Sequence, residues 1–318
     1  MNYSNKFFKP LTKMVMIGLV LFSLTSCSDD DSTSTPPQTS TITDIVVNNP
    51  DFSILRSAVV KAGLAETLAG EGTFTIFAPD NDAFAASGIT SADIEAMSVA
   101  DLTSILLYHA LDSEVPAADV PAGPNAAVQT INESSIFLTK NSSGVFVNGI
   151  SVKQADVEAS NGVIHVISKV LMPATGNIVE VAQSNQDFSY LVAAVVRASQ
   201  GDTDVEGVLS SEGPFTVFAP VNQAFIDAGF PDIASIQAAD PNTLTAILTY
   251  HVIGARAFSS DLVDGANLST VNGGTIEVGL GATATVKGNS NDDASNIIAV
   301  DILTTNGVIH VIDRVLLP

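Results

Sequence analysis

Short apolar runs alternate with polar, turn-forming segments along most of this chain, and one of these runs occurs twice. Residues 161–173 read Asn-Gly-Val-Ile-His-Val-Ile-Ser-Lys-Val-Leu-Met-Pro, and residues 306–318 repeat ten of these 13 positions. The run Val163–Ile167 is too continuously apolar for a half-buried strand and too short for a helix that stands alone. Because Asn-Gly precedes it and a proline follows, the pattern predicts a strand covered on both faces, at the centre of its own domain in each copy.

The segments before the first copy predict helices and then a strand. An apolar stripe follows Asn49-Pro50-Asp51 and predicts a helix that continues to Ala62. Thr73–Pro79 predicts a strand that ends at the proline, and Asp80 can cap a short helix that carries Phe84.

The middle of the first half predicts two more helices and a group of hairpins. The helices are expected at Ser91–Met97 and Val99–Leu111, the second with an apolar stripe facing the core. Val128–Val152 contains short alternating runs separated by Asn- and Gly-rich turns, which predict a meander of hairpins.

The second half repeats the same order of elements. The spacing between matched positions grows from 136 residues near the start to 145 at the end, with added residues at Gly201–Gly207 and near Asn289–Ser295. A repeat of about 140 residues is a duplicated domain rather than a solenoid unit. The predicted organisation is a signal peptide at 1–26, a linker at 27–43, and domains at 44–174 and 175–318.

The first residues predict export and lipidation. Three lysines precede the 11-residue apolar run Met14–Leu24, which is too short to span a bilayer comfortably. Leu24-Thr-Ser-Cys27 follows and resembles the lipobox of bacterial lipoproteins, in which the cysteine is lipidated. Cys27 is the only cysteine in the chain, so the sequence predicts a lipid anchor there and no internal disulfide.

An acidic segment follows Cys27 directly and is made of Ser28, Asp29, Asp30 and Asp31. Next to a lipidated cysteine it resembles the export signal of surface lipoproteins of the Bacteroidetes type. The alternative is a solvated charge run at the start of a Ser/Thr/Pro-rich tether. The first interpretation predicts a protein that is lipid-anchored in the outer membrane and exposed at the cell surface.

The overall charge narrows the class of partner. The chain has a formal net charge of −22, and such a surface repels nucleic acids and anionic membrane surfaces. Contact with the membrane is therefore expected through the lipid, and the other partner is expected to be an extracellular protein or polysaccharide.

Three motifs occur in the same order in both halves. Thr75–Phe84 and Thr216–Phe225 agree at seven of ten positions, a Tyr-His pair follows each, and the Asn-Gly-Val-Ile-His box ends each half. Together they resemble the two conserved boxes and the middle motif of fasciclin (FAS1) domains. The resemblance implies an α+β fold of two tandem FAS1-like domains, each a mixed β-sandwich or wedge with packed helices. It also implies a role in adhesion, matrix attachment or surface recognition.

The resemblance also suggests recognition residues. In animal members of the family, the Tyr-His segment and an Asp-Ile pair before the last box are tied to integrin binding. The candidates in this chain are Tyr108, His109, Asp156, Val157, Tyr250, His251, Asp301 and Ile302. The Asp-Ile pair is intact only in the second half. The residues themselves leave a second interpretation of the Tyr-His pairs, which is packing at the end of an apolar helix.

The sequence favours no metal, cofactor or catalytic site. His165 and His310 lie in the middle of apolar strands, where we expect them to be buried, neutral and hydrogen-bonded to backbone carbonyls. No His-Glu-x-x-His or Gly-x-Ser-x-Gly motif is present, so we expect no enzyme.

Two loop segments have weak alternative interpretations. Gly279-Leu-Gly-Ala-Thr-Ala284 superficially fits a dinucleotide fingerprint, but the next residues alternate as a strand, which predicts a hairpin. Acidic loops at 202–206 and 289–293 contain oxygen ligands that can bind Ca²⁺, although their spacing fits solvated insertions better.

These features lead to two functional hypotheses. The first is a cell-surface lipoprotein that mediates adhesion or contact with an extracellular matrix or biofilm through two fasciclin-like domains. The alternative is a surface protein of a nutrient-uptake system that captures a glycan or another ligand. The chain has no Trp and only 4 Tyr, which weakens the alternative because sugar-binding platforms commonly use these side chains.

Overall fold

The computed structural model describes residues 40–318. The predicted signal peptide, Cys27 and the acidic segment Ser28–Asp31 lie outside the described residues. Within residues 40–318, two domains with the same order of helices and strands follow one another, and each has helices packed against a mixed sheet. The α+β architecture with two tandem domains is confirmed.

The six helices of the first domain are α1 (Ile42–Asn48), α2 (Ser53–Ala62), α3 (Ala65–Ala69), α4 (Asn81–Ala86), α5 (Ser91–Ala96) and α6 (Val99–Tyr108). Its seven strands are β1 (Phe74–Pro79), β2 (Ala110–Leu111), β3 (Gly123–Gln129), β4 (Ser135–Asn141), β5 (Gly144–Val147), β6 (Ile150–Ala159) and β7 (Gly162–Ile167). A 3-10 turn at Pro50–Phe52 leads into α2.

The helices of the second domain are α7 (Ile178–Ser184), α8 (Ser189–Ala198), α9 (Val205–Ser210), α10 (Asn222–Asp227), α11 (Ile233–Ala238) and α12 (Pro241–Tyr250). Its strands are β8 (Phe215–Pro220), β9 (Val252–Ile253), β10 (Asn267–Ser269), β11 (Thr275–Leu280), β12 (Ala284–Gly288), β13 (Ser295–Thr304) and β14 (Gly307–Ile312). The predicted hairpin after Gly279 is the β11–β12 pair.

The repeated box forms an interior strand in both sheets. The strand order is β2-β1-β7-β6-β5-β4-β3 in the first domain, and the second domain has the equivalent order. β7 pairs in parallel with β1 and antiparallel with β6, and all six of its residues are buried. β14 pairs in parallel with β8 and antiparallel with β13, and all six of its residues are buried as well. The prediction of a strand covered on both faces is confirmed.

The asparagine of each box ties the end of its strand to the start of the domain. The Asn161 side chain accepts a hydrogen bond from the Ile42 backbone N–H at 2.9 Å and donates to the carbonyls of Leu68 and Gly70. Asn306 makes the equivalent three bonds, the first of them to the Ile178 N–H at 3.0 Å. A buried amide that is fully paired fixes the first helix of each domain against its central strand.

Two boundaries differ from the sequence predictions. Helix α1 starts at Ile42, two residues before the expected domain start, because Thr41 and Asp44 form a capping box and Ile42 is fully buried. The helix predicted at Val99–Leu111 ends at Tyr108, because Ala110 and Leu111 pair with β1 as strand β2.

Candidate functional site

The Tyr-His pairs lie inside the domains. Tyr108 is 0% exposed; its hydroxyl donates to the Ser135 carbonyl at 3.0 Å and accepts from the Asn148 amide at 2.9 Å. Tyr250 is equally buried, donates to the Thr275 carbonyl and accepts from the Asn289 N–H at 2.9 Å. Each tyrosine thus connects the end of a helix to the hairpins of the meander.

The histidine that follows each tyrosine connects the helix to the chain after the central strand. His109 Nδ1 donates to the Ile105 carbonyl at 2.8 Å, and Nε2 accepts from the Leu171 N–H at 2.9 Å. His251 has the same two bonds, to Ile247 and Leu316. Burial lowers the pKa of both histidines to about 4, so both rings are neutral at pH 7.

The burial of these four side chains fits the packing interpretation. A partner cannot touch Tyr108, His109, Tyr250 or His251 in the folded domains, because they are at most 3% exposed and their polar atoms already have protein partners. A direct recognition role would require the helix end to open, at the cost of these hydrogen bonds.

The histidines of the central strands are buried and bonded to backbone atoms, as predicted. His165 Nε2 donates to the Val115 carbonyl and His310 Nε2 donates to the Ala257 carbonyl, both at 2.9 Å. In each domain the other ring nitrogen accepts a backbone N–H, from Asp156 at 3.2 Å and from Asp301 at 3.3 Å. The ring tautomer follows from these bonds, and it leaves no free nitrogen for a metal.

The two aspartates beside these histidines occupy equivalent bulges. Asp156 and Asp301 have φ values of 56° and 62°, at the points where the pairing of β6 with β7 and of β13 with β14 shifts register. Asp156 Oδ1 accepts from the Ala117 N–H and Asp301 Oδ1 from the Ser259 N–H. The left-handed backbone turns each carboxylate towards the loop after strand β2 or β9.

The environments of the two aspartates differ between the domains. Asp156 is exposed and Val157 is half-buried, so the first Asp-Val pair lies at the surface. Asp301 is partly covered, because a turn of the first domain lies against it: a side chain at Gly149 would come closer than 3.0 Å to the Asp301 carboxylate. Burial raises the pKa of Asp301 and lowers that of His310. The intact Asp-Ile pair is therefore at the contact between the domains.

The contact between the domains is built from residues outside the repeated motifs. The segment 256–261 of the second domain lies on strands β3 and β4 of the first. Four hydrogen bonds join them: Asn125 to the Arg256 carbonyl (2.7 Å) and to Asp261 (3.1 Å), Thr139 to Asp261 (2.9 Å), and Asn141 to the Ser260 carbonyl (2.9 Å). The Arg256 guanidinium stacks over the Phe137 ring at 3.8 Å, and Phe258 is 6.0 Å from the same ring. We call this contact the domain junction.

The sequence contains only a weak signal for the domain junction. Where the first domain has Glu114 and Pro116, the second has Arg256 and Phe258, since the bonds to Thr75 and Thr216 place these segments in register. The change from an acid to arginine and from proline to phenylalanine in this loop is visible only after the two loops have been aligned structurally.

The acidic loops have structural contacts of their own. Asp202 accepts a hydrogen bond from Asn242, and Asp204 caps helix α9. Among residues 40–318 there is no group of three or more His, Cys, Asp or Glu side chains arranged to hold a metal ion. Within the same range, no helix has the length and apolar character needed to cross a bilayer.

Comparison with known families identifies the two domains. The model of the fasciclin domain matches residues 50–173 and again residues 186–318. The chain belongs to the fasciclin family. Its two fasciclin domains coincide with the two copies of the helix-and-sheet fold described above.

Several proteins are similar to this fasciclin chain in sequence. Transforming growth factor-beta-induced protein ig-h3 of Sus scrofa is 34% identical over 258 residues, which is 80% of this chain and 36% of that protein. Periostin of Homo sapiens is 31% identical over 260 residues, 80% of this chain and 29% of periostin. Protein sll1483 of Synechocystis is 42% identical over 137 residues, 42% of this chain and 73% of its own length. This chain spans about a third of the length of the animal relatives.

A solved structure of similar fold is the FAS1 domain pair of the insect cell adhesion molecule fasciclin I. It has 20% sequence identity and a TM-score of 0.41, and the match covers 87% of this chain and 96% of that one.

Proposed function

We propose that this chain is a cell-surface lipoprotein whose two fasciclin domains mediate adhesion or contact with an extracellular matrix or biofilm. The observation that carries the proposal is the match of the fasciclin domain to both halves of the chain. Adhesion is the role that the family resemblance implies. The proposal does not require chemistry at the buried histidines, whose nitrogens are bonded to backbone atoms.

The anchoring part of the proposal rests on the first residues of the chain. A lipid on Cys27 holds the protein at the outer membrane, and the acidic segment Ser28–Asp31 directs it to the outer surface. The Ser/Thr/Pro-rich residues that follow act as a tether. Weak contacts by both domains then add together, because the domain junction presents them as one body with a high effective concentration.

The surface available for adhesion differs between the two domains. The first domain exposes its Asp156 loop, whereas the equivalent Asp301 is occupied by the domain junction. Of the two equivalent candidate pairs, we therefore assign adhesion to Asp156 and Val157, which lie at the surface. We expect Asp301 and Ile302 to help hold the two domains together.

Two experiments test this function. Cells that lack the protein should attach or aggregate less than the parent strain, and re-expression should restore attachment. Cys27→Ser should move the protein from the membrane fraction to the soluble fraction. Normal attachment without the protein would contradict the adhesion proposal, and membrane retention of the Cys27→Ser variant would contradict the lipid anchor.

The alternative, capture of a glycan or another ligand for uptake, makes a different prediction. Such a protein should be needed for growth on one polysaccharide and dispensable for attachment. Binding of the purified chain to an array of glycans and matrix proteins distinguishes adhesion from capture. Binding to one discrete polysaccharide and to no matrix protein would favour capture.

A further inference from the structure

A pocket opens beside the domain junction and is lined by residues of both domains. Its volume is about 590 Å³, which is within the range of small-ligand sites. Asn125 and Phe137 of the first domain line it together with Glu212, Arg256 and Thr305 of the second. We call this recess the junction pocket.

The Arg256 side chain in this pocket is held in place but has no counter-ion. Its guanidinium stacks over Phe137, and its backbone carbonyl accepts from the Asn125 amide at 2.7 Å. Among residues 40–318, no carboxylate lies within 4.0 Å of the guanidinium, and the guanidinium donates no hydrogen bond to the protein. Burial lowers the pKa of Arg256, since the charge has lost part of its water without gaining an opposite charge.

An arginine in this state is unusual in a chain with a net charge of −22. Its planar group presents a fork of N–H donors that fits a carboxylate through two parallel hydrogen bonds. Because stacking already restricts the side chain, little conformational entropy remains to be lost when a ligand binds.

The rest of the pocket suits hydroxyl groups. Glu212 and Thr305 line the wall and supply oxygen acceptors for such groups. One arginine matches one negative charge, whereas Glu212 and the acidic surface disfavour ligands with several phosphates or sulfates. The ligand that this combination fits has a single carboxylate next to several hydroxyls.

We propose that the junction pocket binds a single uronic acid residue of an otherwise neutral polysaccharide, with the sugar carboxylate paired to Arg256. The inference rests on the proposed function, since it names the matrix component that the protein contacts. A peptide carboxylate offers the same charge but lacks the ring of hydroxyls, and the shape of a recess favours a sugar unit over a flat protein surface.

The test measures binding of D-glucuronate and D-galacturonate to the purified full chain carrying Cys27→Ser, by calorimetry and saturation-transfer NMR. Glucose and galactose are the neutral matches, and acetate and a Gly-Asp-Gly peptide provide the carboxylate without the ring. We expect a uronate to bind more tightly than all four.

Variants of Arg256 then locate the site. Arg256→Met keeps the apolar stem over Phe137 and should weaken uronate binding about 10- to 100-fold, the range for loss of a charge-assisted bidentate bond. Arg256→Lys keeps the charge without the fork and should weaken binding less. Arg314→Met removes an exposed arginine that faces Asp293 instead and should leave binding unchanged.

A junction control separates the pocket from the domain contact. Asn141→Ala removes the bond to the Ser260 carbonyl without changing a lining residue, and it should retain uronate binding. The proposal is overturned if no uronate binds, if a neutral sugar or the peptide binds as well, or if Arg256→Met binds like the parent. It is also overturned if Asn141→Ala loses binding to the same extent. Reduced attachment of cells without the protein, together with any of these results, would leave the adhesion function standing and remove only the uronate site.

Discussion

Acid should destabilise the first domain through one of its two buried histidines, His109. Its ring has one N–H, which donates to the Ile105 carbonyl, and its other nitrogen accepts the Leu171 N–H. A second proton would have to occupy the side where that donor already points, and it would place a charge in an apolar surrounding. Burial accordingly lowers the pKa of His109 to about 4.

The sign of the effect follows from proton binding. A histidine in the unfolded chain has a pKa near 6.5, so between about pH 6.5 and pH 4 the unfolded state binds more protons than the folded state. The contribution of neutral His109 to stability is therefore complete above this window and is lost as the pH falls through it. At about 1.4 kcal/mol for each pH unit between the two pKa values, the loss is about 2.5 kcal/mol by pH 4.5. This is a large part of the free energy of unfolding of a typical domain.

Two aspartates of the first domain titrate below this window. Hydrogen bonds lower the pKa values of Asp44 and Asp93, so their contributions disappear only below the window. In the second domain the pKa of Asp301 is raised, which adds stability as the pH falls, while His251 and His310 act in the opposite direction. The pH dependence of stability is therefore simpler to interpret in the first domain.

The assay is hydrogen exchange of the full chain carrying Cys27→Ser, measured from pH 7 to pH 4.5. Peptides that contain β7 report on the first domain, and peptides that contain β14 report on the second. His109→Gln should reduce the protection of β7 from exchange at pH 7. It should also remove about 2.5 kcal/mol from the change in the free energy of unfolding between pH 7 and pH 4.5. Strand β14 is the internal control and should keep its own pH dependence. Equal pH dependence of β7 in the variant and the parent, or an NMR titration of His109 near pH 6.5, would show that His109 is not the group responsible.

Three further substitutions test the packing and the domain junction. Tyr108→Phe should lower the free energy of unfolding by about 1–2 kcal/mol, because it removes the hydrogen bonds to Ser135 and Asn148, and it should not affect ligand binding. Tyr190→Phe is the control, since its hydroxyl bonds only to an exposed carbonyl. An unchanged melting temperature of Tyr108→Phe together with lost binding would restore a recognition role for Tyr108. Gly149→Ala should loosen the domain junction, which X-ray scattering would detect as a larger radius of gyration. The control is Gly144→Ala, because Gly144 also has a positive φ but has no neighbour near an added side chain, and it should leave the junction intact. Equal radii for the two variants would contradict the contact with Asp301. Asn161→Ala should cost about 3 kcal/mol and expose α1 to exchange, because three hydrogen bonds are lost; unchanged protection of α1 would show that other contacts hold it.

Much of each domain could be predicted from local sequence. The central strands follow from a continuous apolar run between Asn-Gly and proline, and the hairpins follow from turn residues between alternating runs. Asp80 caps α4 as expected because an aspartate before an apolar helical segment can satisfy a free N–H within three residues. Such signals extend over only a few positions, and each of them occurs in both domains.

The end of helix α6 depends on a distant partner, whereas the start of helix α1 has both a local signal, the capping box of Thr41 and Asp44, and a distant partner. Helix α1 is held by Asn161, 119 positions away, and helix α6 stops because the next two residues pair with β1. Neither partner is visible in the helix itself.

Periodicity and turn chemistry are local properties, and they were sufficient to predict the two α+β domains, the fasciclin motifs and the burial of the strand histidines. The folded structure, in contrast, fixed which surfaces remain accessible. It buried the Tyr-His pairs, left Asp156 exposed and Asp301 covered, and stacked Arg256 on Phe137 without a counter-ion. These outcomes depend on contacts between residues that lie tens to more than a hundred positions apart, such as Tyr108 with Ser135 and Asn125 with Arg256, and no pattern within either segment records them.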